Sequence, residues 1–251
     1  MAVVLTRPPQ EAAHWAAHLR GHGIESVVLP LLAIGPAPDP DALRDAAAHV
    51  QRYAAVMFVS ANAVHGFLPI APGLGLARAW APGPGTRDAL CAAGVPADRI
   101  DAPAADAAQF DSEALWLQVR GQLHSGDRLL LVRGGDAEGR SQGRDWLAQQ
   151  LVASGVQVDT VVAYTRRMPD WSAMQRTQAR QAAEGGSLWL FSSSEAARNL
   201  ARLLPGQDWS RSRALATHPR IAEAVRALGF GDVRESRPAL HDVVASIESA
   251  R

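Results

Sequence analysis

Apolar residues in this chain gather into short runs of strand length, separated by mixed stretches of helical length. The runs at 2–6, 24–29, 54–59, 77–81, 100–102, 128–132, 158–165, 188–191 and 214–216 are short, rich in Val, Ile, Leu and Phe, and bounded by turn residues, which predicts buried strands. Helices are predicted from the Pro8-Pro9 pair to Arg20, over 42–51, opening at Ser60, running to Ala93 after the turn 82–86, and over 112–122. Further helices are expected at 143–153, 195–204, 221–228 and from Leu240 onward. Proline suits a helix's first turn, whose backbone donors have no partner in any case. Gly21 and Gly23 end the first helix. Ser192 and Glu195 have the spacing of a capping box. Strands alternating with helices throughout predict an α/β protein with parallel sheets.

Two apolar crossings interrupt this alternation. The segment 156–169 reads VQVDTVVAYTRRMP, a β-branched strand closed by two arginines and a proline. Pro169 has no donor and restricts Met168, so the chain is expected to leave the sheet from Arg166 onward. The segment 27–36 has the same character. The chain also repeats itself: LTRPP with LRGHGIESVVLP is similar to LVRGG with LVASGVQVDTVVAY. Likewise MFVSANAVHGFL with PGTRDALCAAGV is similar to LFSSSEAARNL with HPRIAEAVRALGF. The order is A, B, A′, B′, with a crossing after A and after A′. That order predicts two lobes, each built from one A and one B. A continuous lobe would span 38–163, and a discontinuous one 1–34 with 168–251, with connections at 31–37 and 164–169. Tyr164 would sit at the hinge, facing the gap.

The 251 residues reach the size at which two domains become favoured over one core. Charge balances, 25 basic against 25 acidic, which predicts no affinity for nucleic acid or an anionic membrane surface. Every basic residue is arginine, which excludes a Schiff-base lysine and the usual phosphate-loop lysine. The single cysteine, Cys91, excludes an intrachain disulfide and is expected to be a packed helix residue. The opening MAVVLTRPP lacks the basic region and apolar length of a secretory signal, and no segment has the apolar length of a membrane span. A cytoplasmic, soluble protein is expected.

In parallel sheets ligands bind at the carboxyl ends of the strands. Those ends carry Thr6-Arg7, Ser60-Ala61-Asn62, Gly83 to Thr86, Arg133-Gly134, Ser192-Ser193-Ser194 and Thr217 to Arg220 with His218. Small hydroxylated residues, glycines and arginines before helices suit a ligand with several negative charges, because helix N-termini present free N–H groups. Any single Ser or Thr there also serves as an ordinary cap. Other motifs carry less. GGDAEGRS at 134–141 approximates a phosphate loop, but Arg140 stands in place of lysine and Asp136 and Glu138 would repel a triphosphate. His14, His18 and His22 share a helical spacing without a zinc site's carboxylate or cysteine. Neither a dinucleotide fingerprint nor a nucleophile elbow is present.

Taken as an ordered set, VLTRP, FVSANAV (58–64), GPGTRDAL (83–90), DSEAL (111–115), LLLVRGG (129–135), the tyrosine strand, FSSSEAARNL and HPRIAEA resemble the uroporphyrinogen-III synthase family. The resemblance implies two flavodoxin-like lobes joined by a two-stranded linker. It implies no cofactor and no metal. Its substrate would be hydroxymethylbilane, a linear tetrapyrrole with many carboxylates, cyclised with inversion of the last ring and loss of water. Tyr164 matches the family's cleft tyrosine and would assist the departing hydroxyl; a phenol with pKa near ~10 stays protonated at neutral pH. Substrate contacts are expected at Arg7, Ser60, Ala61, Asn62, Gly83, Thr86, Arg133, Gly134, Ser192, Ser193, Ser194, His218 and Arg220. The second copy has Ile221 where the first has Thr86. A monomer is expected, with transient handover from the preceding pathway enzyme as the partner contact. A non-catalytic two-lobed binding or sensor protein for an anionic small molecule is the alternative.

Overall fold

The computed structural model describes residues 2–104, 106–107, 109–141 and 146–250. The chain divides into two compact units, Met1–Ala33 with Arg167–Arg251 (unit one) and Ile34–Arg166 (unit two).

Unit one is a five-stranded parallel sheet built from β1 (Val3–Leu5), β2 (Ser26–Val28), β9 (Leu188–Phe191), β10 (Arg213–Ala216) and β11 (Asp232–Glu235), in the order β11-β10-β9-β1-β2. Its helices are α1 (Pro9–Gly21), α7 (Ala173–Glu184), α8 (Ser194–Leu203), α9 (Pro219–Arg226) and α10 (Leu240–Glu248). Alternate strand residues feed two cores, as the pleat requires. Val4, Trp189, Phe191, Ala214 and Ala216 pack with residues of α7, α8 and α9, whereas Val3, Leu5, Leu188, Leu190 and Leu215 pack with α1 and α10. Strands covered on both faces are apolar at every position, which is why β1 (VVL) and β9 (LWLF) are wholly buried.

Unit two repeats the plan with β4 (Ala55–Phe58), β5 (Arg78–Trp80), β6 (Ile100–Asp101), β7 (Arg128–Gly135) and β8 (Gln157–Arg167). β3 (Ala33–Gly35) is added at the edge, giving the order β3-β8-β7-β4-β5-β6. Its helices are α2 (Pro40–Ala48), α3 (Ala61–Phe67), α4 (Pro84–Ala92), α5 (Ser112–Val119) and α6 (Trp146–Ala153). The correspondence extends to register. Val3 pairs with Ser26 as Leu129 pairs with Val158, and Val3 with Leu188 as Leu129 with Ala55. Leu188 pairs with Arg213 as Ala55 with Arg78, and Ala214 with Val233 as Ala79 with Ile100. Each sheet thus joins the two strands of one A segment to the three strands of one B segment. Both passages between units lie in the hydrogen-bonded neighbours β3 and β8.

Several expected boundaries move. Arg133, Gly134 and Gly135 lie inside β7, and β8 continues through Arg167 and stops only before Met168-Pro169. Pro84 to Thr86 and Pro219-Arg220 are first turns of α4 and α9 instead of loops, each with proline where its missing donor costs nothing. Ser193, not Ser192, caps α8, with its side chain accepting from the Glu195 N–H. β11 and α7 are additions: β11 reads DVRE and is half-buried or exposed, and α7 buries only alanines, so neither carries a strong apolar signal. Cys91 is exposed on α4 instead of packed. The predicted start of a helix at 143 falls outside the described residues.

Candidate functional site

The carboxyl edge of unit two's sheet is built around Tyr164. Side chains alternate along a regular strand, so Tyr164 would share a face with Val162. The β7–β8 register instead shifts between Arg133 and Gly134: Arg133 faces Val162 and Gly134 faces Tyr164, leaving Ala163 as an extra residue. A bulge of this kind re-aims the side chain after it. Val161, Ala163 and Tyr164 consequently join one core cluster. The tyrosine is 4% exposed, its ring sunk into unit two.

Two glycines make room for it. A Cβ on Gly134 would lie 2.5 Å from the phenol Cζ and 2.8 Å from its Oη. A Cβ on Gly66 of α3 would lie 2.6 Å from the Ala163 carbonyl oxygen, so α3 packs backbone to backbone against the bulge. The phenol Oη then meets the Ser60 Oγ at 2.9 Å. Ser60 caps α3 with the same oxygen, accepting from the Ala63 N–H at 3.2 Å. Ser60, Ala61 and Asn62 are half-buried at this edge. Gly83, in extended backbone, precedes α4. Thr86 is 6% exposed, matching Ile221 of unit one, which packs in the apolar core. Arg133, in β7, is 4% exposed, so its side chain is not an open surface cation.

The phosphate-loop lookalike satisfies itself. The Glu138 and Arg140 N–H groups donate to Asp136 Oδ1 at 3.1 and 2.8 Å, and the Arg140 side chain pairs with Asp136 and Glu138. The position a phosphate would need is filled by the chain's own carboxylate. His14 and His18 lie ring to ring, centroids 4.4 Å apart, on α1.

A model of the family described as "Uroporphyrinogen-III synthase HemD" matches residues 13–245. The chain belongs to the uroporphyrinogen-III synthase family. A curated relative, the uroporphyrinogen-III synthase of Synechococcus elongatus, is 29% identical over 223 residues, covering 83% of this chain and 77% of its own. Among solved structures, a uroporphyrinogen-III synthetase from Helicobacter pylori aligns with a TM-score of 0.60 at 14% identity, over 100% of this chain and 99% of that one. A mutant uroporphyrinogen III synthase from Thermus thermophilus aligns with a TM-score of 0.57 at 17% identity, over 100% and 98%. At these identities the two structures establish the fold.

The corresponding carboxyl edge of unit one arranges its side chains differently. Ser193 and His218 cap α8 and α9, the His218 Nδ1 accepting from the Arg220 N–H at 3.2 Å. The Ser194 hydroxyl donates to the Arg220 carbonyl at 3.3 Å, tying the two helix starts together. Ser192 is half-buried and Arg220 exposed. Arg7 turns back along α1: Glu11 holds its guanidinium at 3.2 Å and Trp15 lies beneath it at 4.2 Å. Burial pulls the Arg7 pKa down, and Glu11 opposes that pull. Glu11 therefore competes for Arg7 with any carboxylate of a ligand. Sequence reasoning missed Gly66 altogether, because an isolated helical glycine has no signal until its neighbour is known.

Proposed function

We propose that this chain cyclises hydroxymethylbilane to uroporphyrinogen III, inverting the last pyrrole ring and releasing water. It would act as a carbon–oxygen lyase that needs no cofactor. Family membership over nearly the whole chain supports the assignment, and the Tyr164–Ser60 hydroxyl pair at a sheet's carboxyl edge is the observation that carries the chemistry. Loss of the substrate's hydroxyl needs a proton, since hydroxide is a poor leaving group. The pyrrole nitrogen supplies the electron pair that expels it, giving an azafulvene. Attack on that carbon by the substituted position of the last ring gives a spiro intermediate, which fragments and recloses inverted. The protein's contribution is to hold both chain ends in the geometry that favours this path over direct closure. Carboxylates of the substrate would be received by backbone donors at the starts of α4, α8 and α9, with Ser194 and Arg220 alongside.

The test supplies freshly made hydroxymethylbilane and resolves the type I and type III products. Type III product formed in proportion to enzyme, undiminished by a chelator, is the expected result. Type I product at the uncatalysed rate would refute the assignment.

A further inference from the structure

Tyr164 and Ser60 share one hydrogen bond, and their exposures differ in a direction that matters. The phenol is 4% exposed and its ring is walled in by Gly134, whereas Ser60 is half-buried at the edge of the sheet. Of the two residues, Ser60 presents the more surface to solvent. The Ser60 Oγ already accepts the Ala63 N–H, and the Tyr164 Oη lies 2.9 Å away. A phenol is a stronger acid and better donor than an alcohol, and an alcohol is the better acceptor. Either hydroxyl can donate across this contact, and the acidities favour donation from Tyr164 to Ser60. In that direction two donors meet the serine oxygen and polarise its O–H, since successive hydrogen bonds strengthen one another.

We propose that Ser60, not Tyr164, touches the substrate as the catalytic proton donor, and that Tyr164 acts through it. This rests on the cyclisation assigned above. The carbon–oxygen bond of the substrate's hydroxymethyl group breaks and its electron pair goes to oxygen, which takes the Ser60 proton and leaves as water. The pyrrole nitrogen's lone pair forms the new double bond, leaving a cationic azafulvene. Ser60 takes the Tyr164 proton in the same movement, and the resulting phenolate balances the cation. Ring closure later releases one proton from carbon, which returns to the phenolate and resets the pair. No oxidant, reductant or metal enters the balance.

The relay makes the two hydroxyls serial, so their losses should not multiply. Ser60→Asn keeps an acceptor oxygen for the Ala63 N–H and for the phenol but has no proton to pass on. It is expected to lower kcat by roughly 10²-fold with KM and melting temperature held, and Tyr164→Phe should do the same. The double variant should be no slower than either single one, and Ser60→Thr should recover most of the loss. Near-full turnover in Ser60→Asn beside a crippled Tyr164→Phe would overturn the proposal, because the phenol would then meet the substrate itself. Wild type that makes no type III product would sink the cyclisation reading and this proposal with it; wild type that makes it, with Ser60→Asn unimpaired, would sink the relay alone.

Discussion

The two units share one five-strand order and, up to the bulge at Ala163, one register, yet one makes room for a phenol and the other closes around leucine. Counted along the paired strands, Tyr164 corresponds to Leu32, Gly134 to Pro8 and Gly66 to Asn199. In unit one Leu32 is 6% exposed in the apolar core, and the Asn199 Nδ2 donates at 2.8 Å to the carbonyl of Leu31. The corresponding carbonyl in unit two, that of Ala163, instead faces the bare Cα of Gly66. One unit uses an amide to space helix from strand and satisfy the carbonyl. The other removes the spacer, and the closer approach brings Ser60 within reach of the phenol. A duplicated scaffold thus keeps its strand order while three positions and one bulge decide which copy holds a buried phenol against a serine.

The largest effect should come from Gly134. A methyl group there meets the tyrosine ring at distances no real Cβ occupies, and the ring has a core behind it. Gly134→Ala should displace the phenol from Ser60 and lower turnover roughly 10²-fold, the lower end of what a general acid contributes. Product analysis against wild type, with circular dichroism to check the fold, measures it. Turnover within twofold of wild type would show that the ring can move aside at no cost, and the contrast between units would lose its functional meaning.

Next in size are the paired substitutions Gly66→Ala and Asn199→Ala. Asn199→Ala leaves the buried Leu31 carbonyl without its amide partner, at a cost of about 1–3 kcal/mol. Gly66→Ala forces a methyl against backbone, about 1–3 kcal/mol, offset by about 1 kcal/mol of helix propensity. Denaturant unfolding should therefore find Asn199→Ala at least as destabilising. Activity should separate them: only Gly66→Ala should slow turnover, because only it moves the strand that carries Tyr164. Equal activity in the two variants would reduce Gly66 to a packing residue.

The sheet plan was legible in the sequence, because parallel strands covered on both faces must be continuously apolar, and the A-B-A′-B′ repeat can be read from such runs. Tyr164 was legible as a residue but not as a geometry: period-two alternation assigns it the wrong face, and only the bulge at Ala163 corrects it. Arg7 and Arg133 read as expected substrate contacts because they follow strands ahead of helices. The pairing of Arg7 with Glu11 and the burial of Arg133 are tertiary facts. Polar β11 and alanine-faced α7 lacked the apolar contrast on which pattern reading depends.

The smallest effect lies at the opposite edge of the sheets, where the units differ again. In unit two Tyr53 donates to Asp159 Oδ2 at 3.0 Å, and Arg128 pairs with the same carboxylate while its guanidinium sits 5.4 Å from the tyrosine ring centroid. The positions matching these three in unit one are Gly186, Val27 and Ala2, which can form no such clasp. Burial, and then the Asp159 carboxylate, push the Tyr53 pKa from 10.0 up to about 12. A group that holds its proton more tightly folded than unfolded stabilises the fold while the unfolded chain is still protonated. That contribution is complete below about pH 10 and is lost as pH rises toward 12. Tyr53→Phe should therefore cost less than about 1 kcal/mol near neutrality, since the clasp is partly solvated. Its melting temperature should fall less steeply than wild type's between those pH values, so that the two curves converge. Parallel curves across that window would mean that Tyr53 titrates no differently folded and unfolded, and that the clasp does not distinguish the two units.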